Sequence, residues 1–141
     1  MTKLLKIAQK TLLNNRRSGY TLPTNNKLYP AQWNWDSAFI ALGYSYFNLN
    51  FALSEITTLL KGQWKDGMIP HILFHDKNTK YFPNHTVWNC GYKIASSGIT
   101  QPPIIISILK QIIDNNKINK KQEDKIIEIV KKLKKYLKWF I

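Results

Sequence analysis

A helix that is apolar on nearly every side is the feature that most constrains the fold. Residues 101–115 carry seven aliphatic side chains, which are Ile104, Ile105, Ile106, Ile108, Leu109, Ile112 and Ile113. Thr100 can cap such a helix, and Pro102 and Pro103 are tolerated in its first turn. A helix of this kind has to be covered on most of its sides. The sequence therefore predicts that several other helices pack around it.

Four further segments carry apolar residues at helical spacing and predict helices. They are residues 2–17, 37–47, 51–61 and 120–140. Asp36 precedes the second of these helices and can serve as its N-cap. Loops are predicted at 18–35 and, over an unusually long span, at 62–100, within which Met68–Phe74 alone resembles a strand. The chain is therefore predicted to form one all-α domain of about five helices.

The strong positive charge, +13 at neutral pH, is concentrated near the two ends of the chain. Residues 1–17 hold five basic side chains and no acid, and residues 110–141 hold ten lysines against four acids. Nearly all of the basic residues are lysines, although arginine is better suited to reading bases and phosphates. We therefore expect a solvated, lysine-rich surface and no nucleic-acid partner.

The position of the chain in the cell is predicted from its cysteine content and its lack of long apolar runs. The lone Cys90 cannot form an internal disulfide, and the sequence shows neither a signal peptide nor a membrane-spanning apolar stretch. We therefore expect a cytoplasmic protein with no membrane partner. The last helix still presents Trp139, Phe140 and Ile141 where the sequence stops, which we interpret as an interrupted domain.

Aromatic residues are concentrated between Tyr20 and Tyr92, which include all but three of them, and many lie beside amides and carboxylates. Sugars present flat apolar faces and a rim of hydroxyl groups, so their sites combine aromatic rings with carboxylates and amides. The same pattern is compatible with Trp33 and Trp35 as core residues and Asp36 as a helix cap. Composition alone favours neither interpretation.

The other reactive side chains do not form a recognisable centre. His71, His75 and His85 fall in loop-like sequence and lack the cysteine or carboxylate that would complete a zinc pattern. Asp66, which precedes Gly67, is more typical of a turn than of a catalytic site. We therefore expect no metal and no cofactor.

Three motifs resemble those of glycoside hydrolase family 63-like enzymes, and in particular the bacterial mannosylglycerate and glucosylglycerate hydrolases. The first is Tyr29-Pro30 followed by Gln32-Trp33-Asn34-Trp35-Asp36-Ser37-Ala38-Phe39. The second is Gly62-Gln63-Trp64 followed by Asp66-Gly67-Met68-Ile69-Pro70-His71. The third is Ser96-Ser97-Gly98-Ile99-Thr100-Gln101-Pro102-Pro103. The motifs occur in the family's order with fitting spacing, and the resemblance extends over almost the whole chain.

The resemblance implies an (α/α)6 toroid with the active site at one end, and hydrolysis that inverts the anomeric centre. It also implies residues that hold the sugar or support those that do, namely Tyr29, Trp33, Trp35, Asp36, Gln63, Tyr81 and Gln101. In this set Trp35 would face the sugar ring and Asp36 would accept hydrogen bonds from its hydroxyl groups. Trp33 and Gln63 would be supports.

The chain departs from the family in its acidic residues. The family's general acid and general base both correspond to positions beyond Ile141, and none of the eight acids present matches either. We therefore predict no catalytic residue here, and residues 1–141 would be part of a catalytic domain. Either a second polypeptide or a homo-oligomer completes the protein, or the chain is a catalytically inactive sugar-binding or structural remnant. The sequence leaves these alternatives open.

Overall fold

The computed structural model describes residues 2–24, 28–77 and 80–141, and it is mainly helical. The helices are α1 (Lys3–Asn15), α2 (Asn34–Ser45), α3 (Leu49–Leu59), a 3₁₀ turn (Leu60–Gly62), α4 (His85–Trp88), α5 (Ile105–Asp114) and α6 (Lys120–Phe140). Five of them are the predicted helices with shifted ends, and α4 is a single turn inside the predicted long loop. The prediction of a mainly helical chain is thus confirmed.

A small antiparallel sheet corrects the prediction of an all-α class. Its strands are β1 (Gln32–Trp33), β2 (Ile72–Phe74), β3 (Cys90–Gly91) and β4 (Ala95–Ser96), in the order β1-β2-β4-β3. The register pairs Trp33 with Ile72 and Leu73 with Ser96. Strands of two or three residues are too short to show the alternation that identifies a strand in sequence. Only β2 falls where the sequence resembles a strand.

Helix α2 begins earlier than predicted, which changes the position of Asp36. The residue before the helix is Trp33, in an extended conformation, and Asp36 lies in the first turn rather than at the cap. A negative charge in the first turn is favourable because the unpaired backbone N–H groups there give the N-terminal end of the helix a partial positive charge. The structure therefore removes the interpretation of Asp36 as an N-cap.

Helix α5 begins at Ile105, so Thr100 does not cap it and both prolines precede it. The Thr100 hydroxyl instead donates to the Ile69 carbonyl oxygen (2.5 Å) and lies 2.7 Å from the Tyr136 hydroxyl. Tyr136 also donates to the Gln101 carbonyl oxygen (2.5 Å). These bonds attach the segment before α5 to α6, and they fix the position of Gln101.

Helices α2, α3, α5 and α6 contribute most of the main hydrophobic core, which includes Tyr44, Ile56, Ile112 and Tyr136. A second, smaller cluster lies at the sheet and consists of Ala31, Trp33, Ile72 and Phe74. Since α2 follows β1 directly, its N-terminal end lies at the junction of the helical core and the sheet. None of the described helices is long and apolar enough to span a membrane.

Helix α5 is less enclosed than its sequence predicts. One face is buried, through Ile105, Ile108, Leu109 and Ile112. Ile106 and Ile113 instead line an open groove of about 320 Å³ between α5 and α6, together with Val130, Leu133 and Leu137. We call this groove the α5–α6 groove. Exposed apolar surfaces of this kind mark sites of contact with other protein.

Candidate functional site

An open pocket of about 480 Å³ lies at the N-terminal end of α2. Its lining comes from the loop before β1, the start of α2, the residue before β2 and the loop before α5. The lining residues are Pro23, Thr24, Tyr29, Trp33, Trp35, Asp36, His71 and Gln101. The fold therefore brings together five of the seven residues predicted for the sugar site, although they are spread between Tyr29 and Gln101.

The first turn of α2 holds two of the pocket's loops through its backbone. The Asn34 N–H donates to the His71 carbonyl oxygen (3.0 Å), and the Trp35 N–H donates to Gln101 Oε1 (3.0 Å). A helix leaves its first N–H groups without partners inside the helix, so they are available for such contacts. Because the Gln101 oxygen is engaged, its amide nitrogen remains as a donor for a ligand.

The two tryptophans of the pocket have different environments. Trp33 is 3% exposed and makes edge contacts with Tyr29, Tyr81 and His71, with ring centroids 4.8, 5.5 and 6.5 Å away. Trp35 is 45% exposed. Trp33 is therefore a core residue that supports the pocket wall, whereas Trp35 offers an open aromatic surface.

Asp36 supplies the carboxyl group of the pocket. It is half-buried, and burial raises its pKa above the usual value, while its backbone hydrogen bond and the Trp35 side chain act in the opposite direction. An ionised carboxylate accepts hydrogen bonds and cannot donate them. Beside an exposed indole, it suits a ligand that carries hydroxyl groups around an apolar face.

His71 lines the pocket although the sequence did not predict it as a ligand contact. Its Nδ1 atom is buried and has no hydrogen-bond partner among the described residues. Burial also lowers the pKa of the ring, so the neutral imidazole is favoured. Buried polar atoms are usually paired, and a polar ligand in the pocket can supply the partner of this nitrogen. The sequence feature that could have identified His71 as a pocket residue is its position at the end of the second motif.

A buried carboxyl group on α3 contacts two residues that are next to pocket residues in the sequence. Glu55 is fully buried, and its Oε1 accepts hydrogen bonds from Gln32 Nε2 (3.0 Å) and Ser37 Oγ (2.8 Å). Burial raises the pKa of Glu55 to about 7, against a smaller lowering by the hydrogen bonds from Ser37 and Gln32. Its other carboxyl oxygen, Oε2, is buried and has no hydrogen-bond partner among the described residues. Gln32 Oε1 lies 2.7 Å from His75 Nε2, and burial lowers the pKa of His75 to about 4. The sequence analysis did not identify this network.

Two of the predicted site residues do not line the pocket. Tyr81 makes a T-shaped contact with the Trp33 ring and is not among the residues that line the pocket. Gln63 lies elsewhere, because its Nε2 donates to the carbonyl oxygens of Gly67 (2.8 Å) and Lys132 (2.9 Å). Gln63 therefore connects the turn after α3 to α6.

The remaining candidates from the sequence have structural partners. Asp66 Oδ1 accepts a hydrogen bond from the Met68 N–H (3.1 Å), as expected of a turn residue. Cys90 Sγ donates to the Trp88 carbonyl oxygen (2.9 Å). Within the described ranges, no three His, Cys, Asp or Glu side chains are grouped so that they could hold a metal ion.

The contacts of Gln63 predict that the Gln63→Ala substitution affects stability and not ligand binding. Loss of one half-buried and one exposed hydrogen bond is expected to lower the free energy of unfolding by about 1 kcal/mol. Urea unfolding measures this change, and Gln111→Ala on the exposed surface of α5 is the control. A large loss of sugar affinity in the folded Gln63→Ala protein would instead support a role for Gln63 at the sugar.

Comparison with known proteins identifies close relatives. A family model described as the mannosylglycerate hydrolase MGH1-like glycoside hydrolase domain matches residues 29–141. The mannosylglycerate hydrolase MGH2 of Selaginella moellendorffii is 40% identical over 114 residues, which cover 80% of this chain and 23% of that protein. The mannosylglycerate hydrolase of Thermus thermophilus is 37% identical over 135 residues, 94% of this chain and 32% of the relative. The glucosylglycerate hydrolase of Mycolicibacterium hassiacum is 39% identical over 95 residues, 62% of this chain and 21% of the relative.

Solved structures give the same result for the fold. The GH63 mannosylglycerate hydrolase from Thermus thermophilus, in complex with Tris and D-glycerate, matches with a TM-score of 0.88 and 37% identity. The match covers 96% of this chain and 32% of that one. The same enzyme in complex with glucose matches with a TM-score of 0.80 and 34% identity, over 98% of this chain and 33% of that one. The chain therefore spans a third or less of the length of these relatives.

Proposed function

This chain belongs to the family of mannosylglycerate hydrolase MGH1-like glycoside hydrolases, and from that premise we propose that it supplies part of a hydrolase's sugar-binding site. The proposed substrate is a small glycoside such as mannosylglycerate or glucosylglycerate. One observation carries the proposal: the pocket gathers an exposed indole, a half-buried carboxyl group and a side-chain amide at the end of one helix. The relatives support the substrate class, since one was solved with D-glycerate and another is a glucosylglycerate hydrolase.

Each residue of the pocket has a proposed role that follows from its chemistry. The exposed ring of Trp35 stacks against the apolar face of the sugar. Asp36 accepts hydrogen bonds from sugar hydroxyl groups, and the Gln101 amide nitrogen donates one. Tyr29 contributes a phenol hydroxyl at the rim, while Trp33 and Tyr81 hold the aromatic wall in place.

Cleavage of the glycosidic bond needs more than this pocket contains. An inverting enzyme uses one carboxylic acid to protonate the leaving oxygen and one carboxylate to take a proton from the attacking water, with the two groups ~6.5–9.5 Å apart. Asp36 is the one acid among the pocket's lining residues, and its proposed role is to hold the sugar. The chain therefore binds substrate, and the catalytic pair comes from elsewhere.

The proposed source of the catalytic pair is the remainder of the catalytic domain, so that residues 1–141 form part of an (α/α)6 toroid. Two observations support this proposal. The chain matches 32% of a solved relative with a TM-score of 0.88, and the α5–α6 groove leaves an apolar surface for the remaining helices. Association of copies of this chain is the alternative cover for that groove.

Calorimetric titration of the purified chain with mannosylglycerate and glucosylglycerate tests the binding proposal, and assays for released mannose and glucose test hydrolysis. We expect binding without release by the chain alone. Co-expression with a polypeptide that carries the remaining helices and two acids is expected to give an associated pair that releases the sugar.

The possible outcomes separate the proposal from its alternative. A soluble, associated pair that binds the glycoside but releases no sugar would support a catalytically inactive binding protein. Absence of binding by both the folded chain and the pair, at millimolar glycoside, would contradict any role in sugar recognition.

A further inference from the structure

The buried carboxyl group of Glu55 makes an unusual set of contacts for a helix residue. It lies on α3 and is 0% exposed. Its Oε1 accepts from two residues of a different part of the chain, Gln32 (3.0 Å) and Ser37 (2.8 Å). Gln32 Nε2 also donates to the Glu55 carbonyl oxygen (3.1 Å). One residue of α3 thus accepts three hydrogen bonds from the first motif.

In the sequence, the two donors lie on either side of the pocket residues that are proposed to contact the sugar or to support that contact. Gln32 immediately precedes Trp33, and Ser37 immediately follows Asp36. The enclosed segment contains the change from strand β1 to helix α2. A single acceptor that binds both ends fixes the distance between them, and therefore limits how far this strand-to-helix turn can open.

The orientation of the Gln32 amide is determined by this network. Since its nitrogen donates to Glu55, its oxygen faces His75, and His75 Nε2 carries the proton of that hydrogen bond. The His75 ring also stacks on Tyr20, with ring centroids 4.1 Å apart. The amide is thus held from both sides, and its nitrogen stays directed at Glu55.

We propose that Glu55 is a positioning residue, which binds Gln32 and Ser37 and so sets the placement of Trp33, Trp35 and Asp36 for the sugar. This inference rests on the proposed function of the pocket. Groups that contact a ligand are held precisely enough only when their neighbours lock them in place. A neutral Glu55, favoured by the burial that raises its pKa to about 7, still accepts at Oε1.

Two substitutions of Glu55 distinguish positioning from bulk packing. Glu55→Gln retains an acceptor oxygen at a nearly unchanged size, and Glu55→Leu removes it. We expect Glu55→Leu to weaken mannosylglycerate binding about tenfold or more, since a displacement of ~1 Å can cost up to ~100-fold in function. We expect Glu55→Gln to restore affinity to within about twofold of the wild type. Glu128→Leu, on the exposed side of α6, is the matched control.

A second readout needs no ligand. The Trp35 N–H donates to Gln101 Oε1 inside the pocket, so its hydrogen exchange reports the geometry of the segment between Gln32 and Ser37. Glu55→Leu is expected to accelerate this exchange about tenfold relative to amides in α6, and Glu55→Gln to leave it unchanged. Ser37→Ala, which removes one of the donors, gives an intermediate effect and serves if Glu55→Leu does not fold.

The results separate this inference from the proposed function. Absence of glycoside binding by the wild type contradicts the proposed function, while the exchange experiment still decides whether Glu55 holds the segment. Equal Trp35 exchange in wild type, Glu55→Leu and Ser37→Ala overturns the inference. So does a Glu55→Gln protein that binds as weakly as Glu55→Leu while both are folded by circular dichroism.

Discussion

The Asp36→Asn substitution is expected to weaken binding of mannosylglycerate by about 30-fold. Asparagine keeps the shape of the side chain but loses its charge and one acceptor oxygen. Hydrogen bonds to charged groups contribute about 1.5–3 kcal/mol, and every ~1.4 kcal/mol changes a dissociation constant tenfold. Calorimetric titration at pH 7 measures the change. Asp114→Asn, at an exposed ion pair with Lys110 on α5, is the control and should bind as the wild type does.

The pH dependence of binding adds an independent check on Asp36. Burial raises the pKa of this carboxyl group above 3.8, and the ionised form is the one proposed to bind. Affinity of the wild type should therefore fall as the pH decreases through that raised pKa, and the Asp36→Asn protein should lack this dependence. If Asp36→Asn binds within twofold of the wild type at pH 7, then Asp36 is not the acceptor for the sugar hydroxyl groups.

The helices were predictable because apolar periodicity over ten or more residues is a strong signal. The sheet was not, since its strands have two or three residues each and form only when distant segments meet. The same limit applies to helix ends. The starts of α2 and α5 depend on bonds from Trp35 to Gln101 and from Thr100 to Ile69, which join segments far apart in the sequence.

The candidate site was predicted more completely through its motifs than through composition. Composition left Trp33 and Trp35 equally open to core and site interpretations, and the structure gives a buried position to the first and an exposed one to the second. Gln63 was predicted as a support of the site, and that role stays a prediction. Its hydrogen bonds to Gly67 and Lys132 depend on the packing of α6, which a local motif does not encode.

Glu55 had a sequence signal that becomes clear from its neighbours on α3. It lies three residues after Ala52 and four residues before Leu59, both of which are fully buried. An acid at that spacing belongs to the buried face of the helix, and a buried carboxyl group needs hydrogen-bond partners. The sequence could thus have indicated that Glu55 is buried and paired. It could not have identified Gln32 and Ser37 as the partners.

Glu55 and His75 are expected to give opposite pH dependences of folding stability. The pKa of Glu55 is raised from 4.5 to about 7, so the folded state holds a proton that the unfolded state releases, and stability falls as the pH rises through this window. The pKa of His75 is lowered from 6.5 to about 4, so stability falls as the pH decreases through that window. Between about pH 4.5 and 6.5 the two contributions oppose each other.

Other polar and titratable groups near Glu55 and His75 also affect how the folding stability depends on pH. Tyr20, Thr21 and Lys61 face the network, and the charges of Arg17 and Asp76 act on Tyr20. Asp36 and His71 also have shifted pKa values. These residues are common to wild type and variants, so their effects cancel to first order when the stability of a variant is compared with that of the wild type at each pH.

The Glu55→Gln protein should therefore gain stability relative to the wild type as the pH rises from about 4.5 to 8. A shift from 4.5 to about 7 corresponds to a gain of about 3 kcal/mol over this range, at ~1.4 kcal/mol per pH unit. The His75→Gln protein can still donate a hydrogen bond to Gln32. At pH 6.5 it should be less stable than the wild type, and this difference in the free energy of unfolding should shrink as the pH falls. Its effect is smaller because this ring is partly exposed and screened by solvent.

Urea unfolding of the wild type, both single variants and the double variant, at half-unit steps from pH 4 to pH 8, measures these differences. The double variant should lack both contributions, so its stability should change less with pH in this range than that of either single variant. A difference between Glu55→Gln and wild type that stays constant from pH 5 to pH 8 would mean that Glu55 does not titrate there. In that case the buried carboxyl group stays ionised at neutral pH, and Gln32 and Ser37 stabilise a negative charge rather than a neutral acid.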